Sequence, residues 1–154
     1  MEIDLTTHLP FRVAVLSNYI KQGSSDRFVA KTQLSSRDWR VISVLAIQGA
    51  MTPAQIADLT GLDRPTISRS LKVLLTQNYL QKQPNNLDGR SYVVSLTKQG
   101  QLHAQELLPL MQQSDAYFKN LLSMGEQTLL FELLEKLEKA ARQLAVSNTL
   151  NESN

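Results

Sequence analysis

The sequence predicts a mainly α-helical chain with one small β-hairpin wing: a winged helix-turn-helix flanked by N- and C-terminal dimerisation helices. Three observations predict it. First, two short amphipathic segments meet at Leu59-Thr60-Gly61-Leu62-Asp63, a tight turn that leads into a second helix. Second, the hydrophobic period changes from helical to alternating after Asn78, with a segment dense in turn formers between two short strands. Third, Leu129, Leu130, Leu133, Leu134, Leu137, Ala140, Ala141 and Leu144 form an apolar stripe too long for a small winged helix to cover by itself.

The segment after the turn carries the most information. Asp63 caps the helix by accepting from its first free N–H groups, and Pro65 fits the first turn, where no intrahelical bond is lost. Ile67, Leu71, Leu74 and Leu75 recur at helical spacing and mark the inner face. Arg64, Thr66, Ser68, Arg69, Ser70 and Lys72 are assigned to the other face, which is short, hydroxyl-rich and basic. Such a surface suits phosphates and base edges.

Bulk charge agrees with that reading. The 154 residues carry a net charge of +2, but residues 35–100 hold eight basic and four acidic side chains, net +4. Residues 101–154 hold four basic and seven acidic, net −3. The basic excess surrounds the turn and its helix, where an electrostatic footprint for nucleic acid belongs. Hydrophobic residues make up 42%, enough for a core, and there is no cysteine for disulfides or thiolate metal sites. The N-terminus lacks an apolar signal core, no stretch approaches a membrane span, and a cytoplasmic location with no membrane partner is expected.

Along the chain, residues 10–21 read as a first helix with Pro10 at its start, and Gln22-Gly23-Ser24-Ser25-Asp26 as a break. Residues 27–34 are an ambiguous link. Ser35-Ser36-Arg37-Asp38 resembles a capping box that opens a helix ending near Gly49. Thr52-Pro53-Ala54-Gln55 opens the next, with Ile56, Ala57 and Leu59 inside. Residues 79–83 and 91–96 read as strands around Pro84-Asn85-Asn86-Leu87-Asp88-Gly89-Arg90. Thr97 caps a long helix, in which Pro109 predicts a kink or a division in two. Ser123-Met124-Gly125-Glu126 caps the last helix, and the tail from Ser147 is expected to fray. The domain plan is therefore 1–34 for an N-terminal dimerisation helix and link, 35–97 for the winged helix-turn-helix, and 98–154 for the C-terminal dimerisation helices.

Site chemistry for catalysis is not evident: His8 and His103 are isolated, and neither a glycine-rich phosphate loop nor a nucleophile elbow occurs. An enzyme, a metal centre and a cofactor are not expected.

The order and spacing of these pieces resemble the multiple-antibiotic-resistance regulator (MarR) family of transcription factors. Residues 34–42, from Leu34 to Ile42, resemble the family's second helix, and Asp63-Arg64-Pro65-Thr66-Ile67-Ser68-Arg69 the start of its recognition helix. Asp88-Gly89-Arg90 resembles the wing's Asp-x-Arg, and Leu96-Thr97-Lys98-Gln99-Gly100 the opening of its fifth helix. Two places depart: Lys82 stands where an arginine is often found, and the wing tip reads Asn85-Asn86. The resemblance implies a homodimer on double-stranded DNA with a pseudo-palindromic site, acting as a repressor released by a small aromatic or phenolic effector. It implies major-groove and phosphate contacts from Arg64, Pro65, Thr66, Ser68, Arg69 and Lys72. It also implies a minor-groove role for Arg90, an orienting acid in Asp88, and phosphate contacts at the helix starts of Ser36 and Thr52. Trp39, the only tryptophan, reads either as core or as part of an effector cleft with Phe11, Arg12, Tyr19 and Arg40. A winged-helix module that meets a protein through the same face, without specific DNA binding, is the competing functional class.

Overall fold

A computed structural model describes residues 3–24, 34–85, 88 and 91–151. The chain falls into two compact units, Met1–Met111 and Gln112–Asn154.

The first unit opens with α1 (Leu9–Ser24). Its first turn is capped by His8, whose Nδ1 accepts from the Phe11 N–H at 3.3 Å. The helix runs through Gln22 and Gly23, where a break was expected. The helix ends at Ser24, inside the expected break, whose last two residues, Ser25 and Asp26, lie outside the described residues. The expected link over residues 27–33 lies outside the described residues.

Three helices then build the core. In α2 (Ser36–Gln48) the predicted capping box is complete: the Ser35 hydroxyl accepts from Asp38 N–H, and the Asp38 carboxylate accepts from Ser35 N–H at 2.8 Å. Its buried face carries Trp39, Val41, Ile42 and Leu45. In α3 (Pro53–Thr60) Thr52 and Gln55 make the same reciprocal pair. Gly61 ends α3 in the left-handed region, φ 65°, which a glycine enters without a Cβ penalty. Leu59, expected inside, is 55% exposed. It stands two residues beyond buried Ala57, about 200° further round a helix of only eight residues. In α4 (Arg64–Thr76) the Asp63 carboxylate accepts from Thr66 N–H at 2.6 Å.

The wing is an antiparallel pair, β1 (Leu80–Pro84) and β2 (Tyr92–Leu96), with Leu80 opposite Leu96 and Lys82 opposite Val94. Both strands begin one residue later than predicted. The sequence gives no hint of a third partner: Met51 and Val94 exchange two backbone hydrogen bonds, at 2.8 and 3.0 Å. This bridge fastens the wing to the segment between α2 and α3. Leu80, Val94 and Leu96 thereby join Ile56, Ile67, Leu71 and Leu74 in one core.

The Thr97 hydroxyl caps α5 (Lys98–Lys119), accepting from Gly100 N–H at 3.1 Å. The helix is continuous through Pro109, so the expected division in two does not occur. Proline removes a single donor there, and the turns on either side keep their own bonds. The helix crosses from the first unit into the second.

In the second unit, α5 ends at Lys119 and α6 (Met124–Asn151) follows. The predicted Ser123–Glu126 box forms, with Ser123 N–H donating to the Glu126 carboxylate at 2.8 Å. That bond, followed by one from the Ser123 hydroxyl to the same carboxylate oxygen, holds the Glu126 carboxyl below its ordinary range. The Gln127 amide donates to the Lys119 and Leu122 carbonyls, closing the turn. The helix continues past Ser147, where fraying was expected, to Asn151. Among its described side chains, residues 124–145, all but half-buried Gln127 are exposed. No helix among the described residues is long and apolar enough to cross a membrane.

Candidate nucleic-acid interface

The α4 helix presents two faces separated by its period. Thr66, Ile67, Ser70, Leu71 and Leu74 point into the core. Arg64, Pro65, Ser68, Arg69 and Lys72 are exposed. This corrects the sequence assignment at two positions. Thr66 and Ser70, placed on the outer face by their polarity, are 6% and 4% exposed. They stand one residue before and three after Ile67, so the 100° step of the helix carries them inward.

Thr66 has a task there. Its Oγ1 accepts from the Arg69 guanidinium at 3.0 Å, while Asp63 accepts from its N–H. That backbone bond, followed by the Thr66 hydroxyl and the nearby Arg69 charge, holds the Asp63 carboxyl below its ordinary range. The cap therefore stays ionised at neutral pH. One guanidinium donor is used, and Arg69 keeps four of its five for a ligand.

The wing closes through a small network. Asn85 Nδ2 donates to the Ser91 hydroxyl at 2.7 Å, and Asn85 N–H to the Ser91 carbonyl at 3.2 Å. Asp88 donates its N–H to Asn85 and accepts from Ser91 N–H. Asp88 thus braces the tip through its backbone. Arg90 lies outside the described residues. A hollow of about 610 Å³ runs from Thr52 and Pro53 at the start of α3, past Arg64 and Ser68, to Asp88 and Tyr92 on the wing. Ser36, half-exposed, opens the first turn of α2. The Thr52 hydroxyl is engaged by Gln55.

One residue pair was missed. The Lys82 ammonium sits 3.7 Å above the centre of the Tyr92 ring. The signal was in the alternation: Lys82 shares the parity of Leu80 and so the same face of the hairpin, but two residues further along it is exposed. There a diagonal neighbour on the facing strand receives it.

The five candidate effector residues do not form one site. Phe11, Arg12 and Tyr19 line a hollow of about 330 Å³ on α1 together with Leu5 and Leu16. Trp39 is instead buried in the core, 7% exposed, with its ring 6.2 Å from that of His103. Arg40 is exposed and donates to the Thr60 carbonyl at the end of α3, at 3.4 Å. Trp39 and Arg40 are adjacent in sequence, and the helical period separates them.

Comparison with known proteins agrees with this architecture. The MarR family model matches residues 32–91. The HTH-type transcriptional regulator YwaE of Bacillus subtilis is 25% identical over 131 residues, which span 81% of this chain and 77% of that protein. A MarR/EmrR family transcriptional regulator from Acinetobacter sp. ADP1 superposes with a TM-score of 0.83 at 27% identity, covering 92% of this chain and 99% of the other. The PcaV transcriptional regulator of Streptomyces coelicolor, solved in complex with its natural ligand, shares the fold. Its TM-score is 0.73 at 23% identity, over 92% and 99% of the two chains. The helix-turn-helix, the wing and these relatives have one reading in common: over residues 32–91 the chain matches the MarR family of winged-helix, DNA-binding transcriptional regulators, and the proteins it resembles are regulators rather than enzymes.

Proposed function

We propose that this protein is a homodimeric, sequence-specific repressor whose residues 35–97 hold DNA and whose residues 1–34 and 98–154 carry the dimer contact. The observation that carries the DNA half is the outward stripe of α4, Pro65, Ser68, Arg69 and Lys72 with Arg64, continuing into the hollow bordered by the wing. Pro65, Ser68 and Arg69 enter the major groove, and Arg64 and Lys72 meet phosphates. Thr66 supports Arg69 from beneath. Ser36 and Thr52, at helix starts, lie where flanking phosphates can be received. The dimer half is supported by the exposed apolar side chains of α1, among them Phe11, Val13 and Leu16, and by the stripe of α6. Release by a small aromatic acid is supported by the hollow that joins Phe11, Tyr19 and the Arg12 cation. The PcaV neighbour, crystallised with its natural ligand, has the same fold.

Selection of bound sequences from random duplex DNA tests the reading. The expected product is an inverted repeat with half-sites about 10 bp apart, one helical turn. Binding should weaken steeply with salt, because neutralised phosphates release counterions. Salt-insensitive binding to a protein, with no selected DNA, would favour the interaction-module class instead. Salicylate at saturation should release the DNA from wild type and not from Arg12→Ala.

Arg69→Ala should cost about 1–3 kcal/mol of discrimination at one or two base pairs per half-site, the worth of a bidentate guanine contact. Lys82→Ala should weaken all sites alike and lower the salt slope, as a lost phosphate contact does. Tyr92→Leu should repeat the Lys82→Ala result, and the double variant should add nothing further. Arg90→Ala should change preference only in the flanks, the mark of minor-groove shape reading. Quantitative binding over a salt series on sites with A·T-rich and G·C-rich flanks separates the Arg69, Lys82 and Arg90 variants. A salt slope unchanged in Lys82→Ala removes that lysine from the interface.

A further inference from the structure

Arg69 is exposed, but its guanidinium is held by a residue that is not. Its Nη2 donates to the Thr66 Oγ1 at 3.0 Å, about one helical turn back. Thr66 is 6% exposed and lies on the core side of α4 with Ile67, Ser70 and Leu71. A β-branched side chain in a helix has few χ1 rotamers to choose from, and burial narrows the choice further. The hydroxyl oxygen is therefore a fixed point. A mobile acceptor would leave a long arginine side chain as free as before, whereas a fixed one selects among its rotamers.

The hydroxyl is braced from the other side. The Asp63 carboxylate accepts from Thr66 N–H at 2.6 Å. That backbone bond first, then the Thr66 hydroxyl, and with them the Arg69 charge, hold the Asp63 carboxyl below its ordinary range. An ionised acid on that side attracts the hydroxyl proton and leaves an oxygen lone pair for Arg69. Asp63, Thr66 and Arg69, three residues apart, thus run in a line from the helix cap to the guanidinium.

The guanidinium keeps a recognition edge. Its five N–H donors are one on Nε and two on each of Nη1 and Nη2. Nη2 shares one two-donor edge with Nε and another with Nη1. Whichever Nη2 proton Thr66 accepts, one of those edges stays whole. One whole edge in a fixed direction suits the O6 and N7 acceptors of a single guanine. A guanidinium free to swing could reach a guanine at the neighbouring base pair as well.

We propose that Thr66 is a specificity-determining positioning residue: it aims Arg69 at one base pair of each half-site and confers discrimination there without itself touching DNA. This rests on the DNA-contact reading above. An unheld arginine loses its rotamer freedom on binding, and a held one has already lost it on folding. The gain appears only at sites where Arg69 meets its guanine, so it changes selectivity and leaves general affinity for DNA alone.

The test measures binding of the full chain and its variants to the selected duplex, to single-base-pair changes of it, and to an unrelated duplex. Thr66→Val keeps the shape of the side chain and removes the hydroxyl, and Thr66→Ala removes it without adding bulk. Both should lower the preference for guanine at the base pair that Arg69→Ala relaxes, by about 2- to 10-fold, the equivalent of ordering one long side chain. Affinity for the unrelated duplex and the salt slope should stay as in wild type, because no phosphate contact is lost. Thr66→Ser restores the oxygen and should restore the preference. In an Arg69→Ala background, Thr66→Val should change nothing further. A Thr66 that serves packing only would weaken every duplex alike and act in both backgrounds, and that result overturns the proposal. A guanine preference that survives both Thr66→Val and Thr66→Ala overturns it too, while the DNA-contact reading stands. Failure to select any duplex instead overturns the DNA-contact reading, and the proposal with it.

Discussion

Gly100→Ala is expected to lower the unfolding free energy by about 3 kcal/mol, the upper end of what overpacking costs. The obstacle is the reason for placing it there. A Cβ at Gly100 meets the Tyr79 carbonyl, with the Leu96 side chain 3.2 Å away. A flexible side chain could swing aside, whereas this carbonyl already accepts from Thr97 N–H and belongs to the turn that ends α4. Either α5 or the Tyr79 backbone must move, and the second choice displaces the foot of the recognition helix. DNA affinity should therefore fall further than the lost folded fraction explains. Urea unfolding followed by circular dichroism measures the first effect, and binding at a denaturant-free temperature well below the transition measures the second. Gly125→Ala is the internal control. Nothing lies within 4 Å of a Cβ there, in the first turn of α6. The same chemical change should be neutral, or stabilising by up to about 1 kcal/mol through helix propensity. Equal midpoints for wild type and Gly100→Ala would show that the α5 contact yields more easily than its geometry implies.

Paired substitution Leu134→Glu and Leu137→Glu is expected to convert the dimer to a monomer and to weaken DNA binding on the order of 10²-fold or more, the scale of lost bivalency. Leu134 and Leu137 stand three residues apart on one face of α6 and are 38% and 40% exposed, with Leu130 beside them at 41%. A helix with so many half-open leucines and no buried side chain among its described residues is the surface that a second copy would cover. Carboxylates there would each have to be buried unpaired on association. Because both positions are exposed in the isolated chain, the winged-helix core should keep its own thermal transition. Light scattering reads the mass, and binding to full sites and half-sites reads the consequence. The variant should lose affinity for the full site and retain that for a half-site. A wild-type monomer at micromolar concentration would overturn the dimer reading outright.

Much of the fold was legible because its signals are local. Ser35 with Asp38, Thr52 with Gln55, and Ser123 with Glu126 each satisfy their own helix start across three residues. Asp63 does so from one side, and Gly61 provides the left-handed turn. None of these bonds depends on a distant part of the chain, so the pattern of residue types suffices to predict them. The wing was legible for the same reason, as a change of period followed by turn formers.

What local pattern could not decide was which side of each element the core would claim. Thr66 and Ser70 read as surface by polarity, yet the core takes them because they share a stripe with Ile67, Leu71 and Leu74. Leu59 reads as core by hydrophobicity and is left outside by a helix too short to bury both flanks. Pro109 reads as a kink or a division, and the helix is not divided there, since one unfavourable residue is outweighed by the turns around it. The Met51–Val94 bridge and the seat of Gly100 against Tyr79 join residues far apart in sequence. The sequence by itself determined the elements, their order and the basic helix offered to DNA. The tertiary structure alone decided which polar side chains of that helix face outward, and which backbone contact holds it at its angle, because both depend on packing between segments that sequence proximity does not couple.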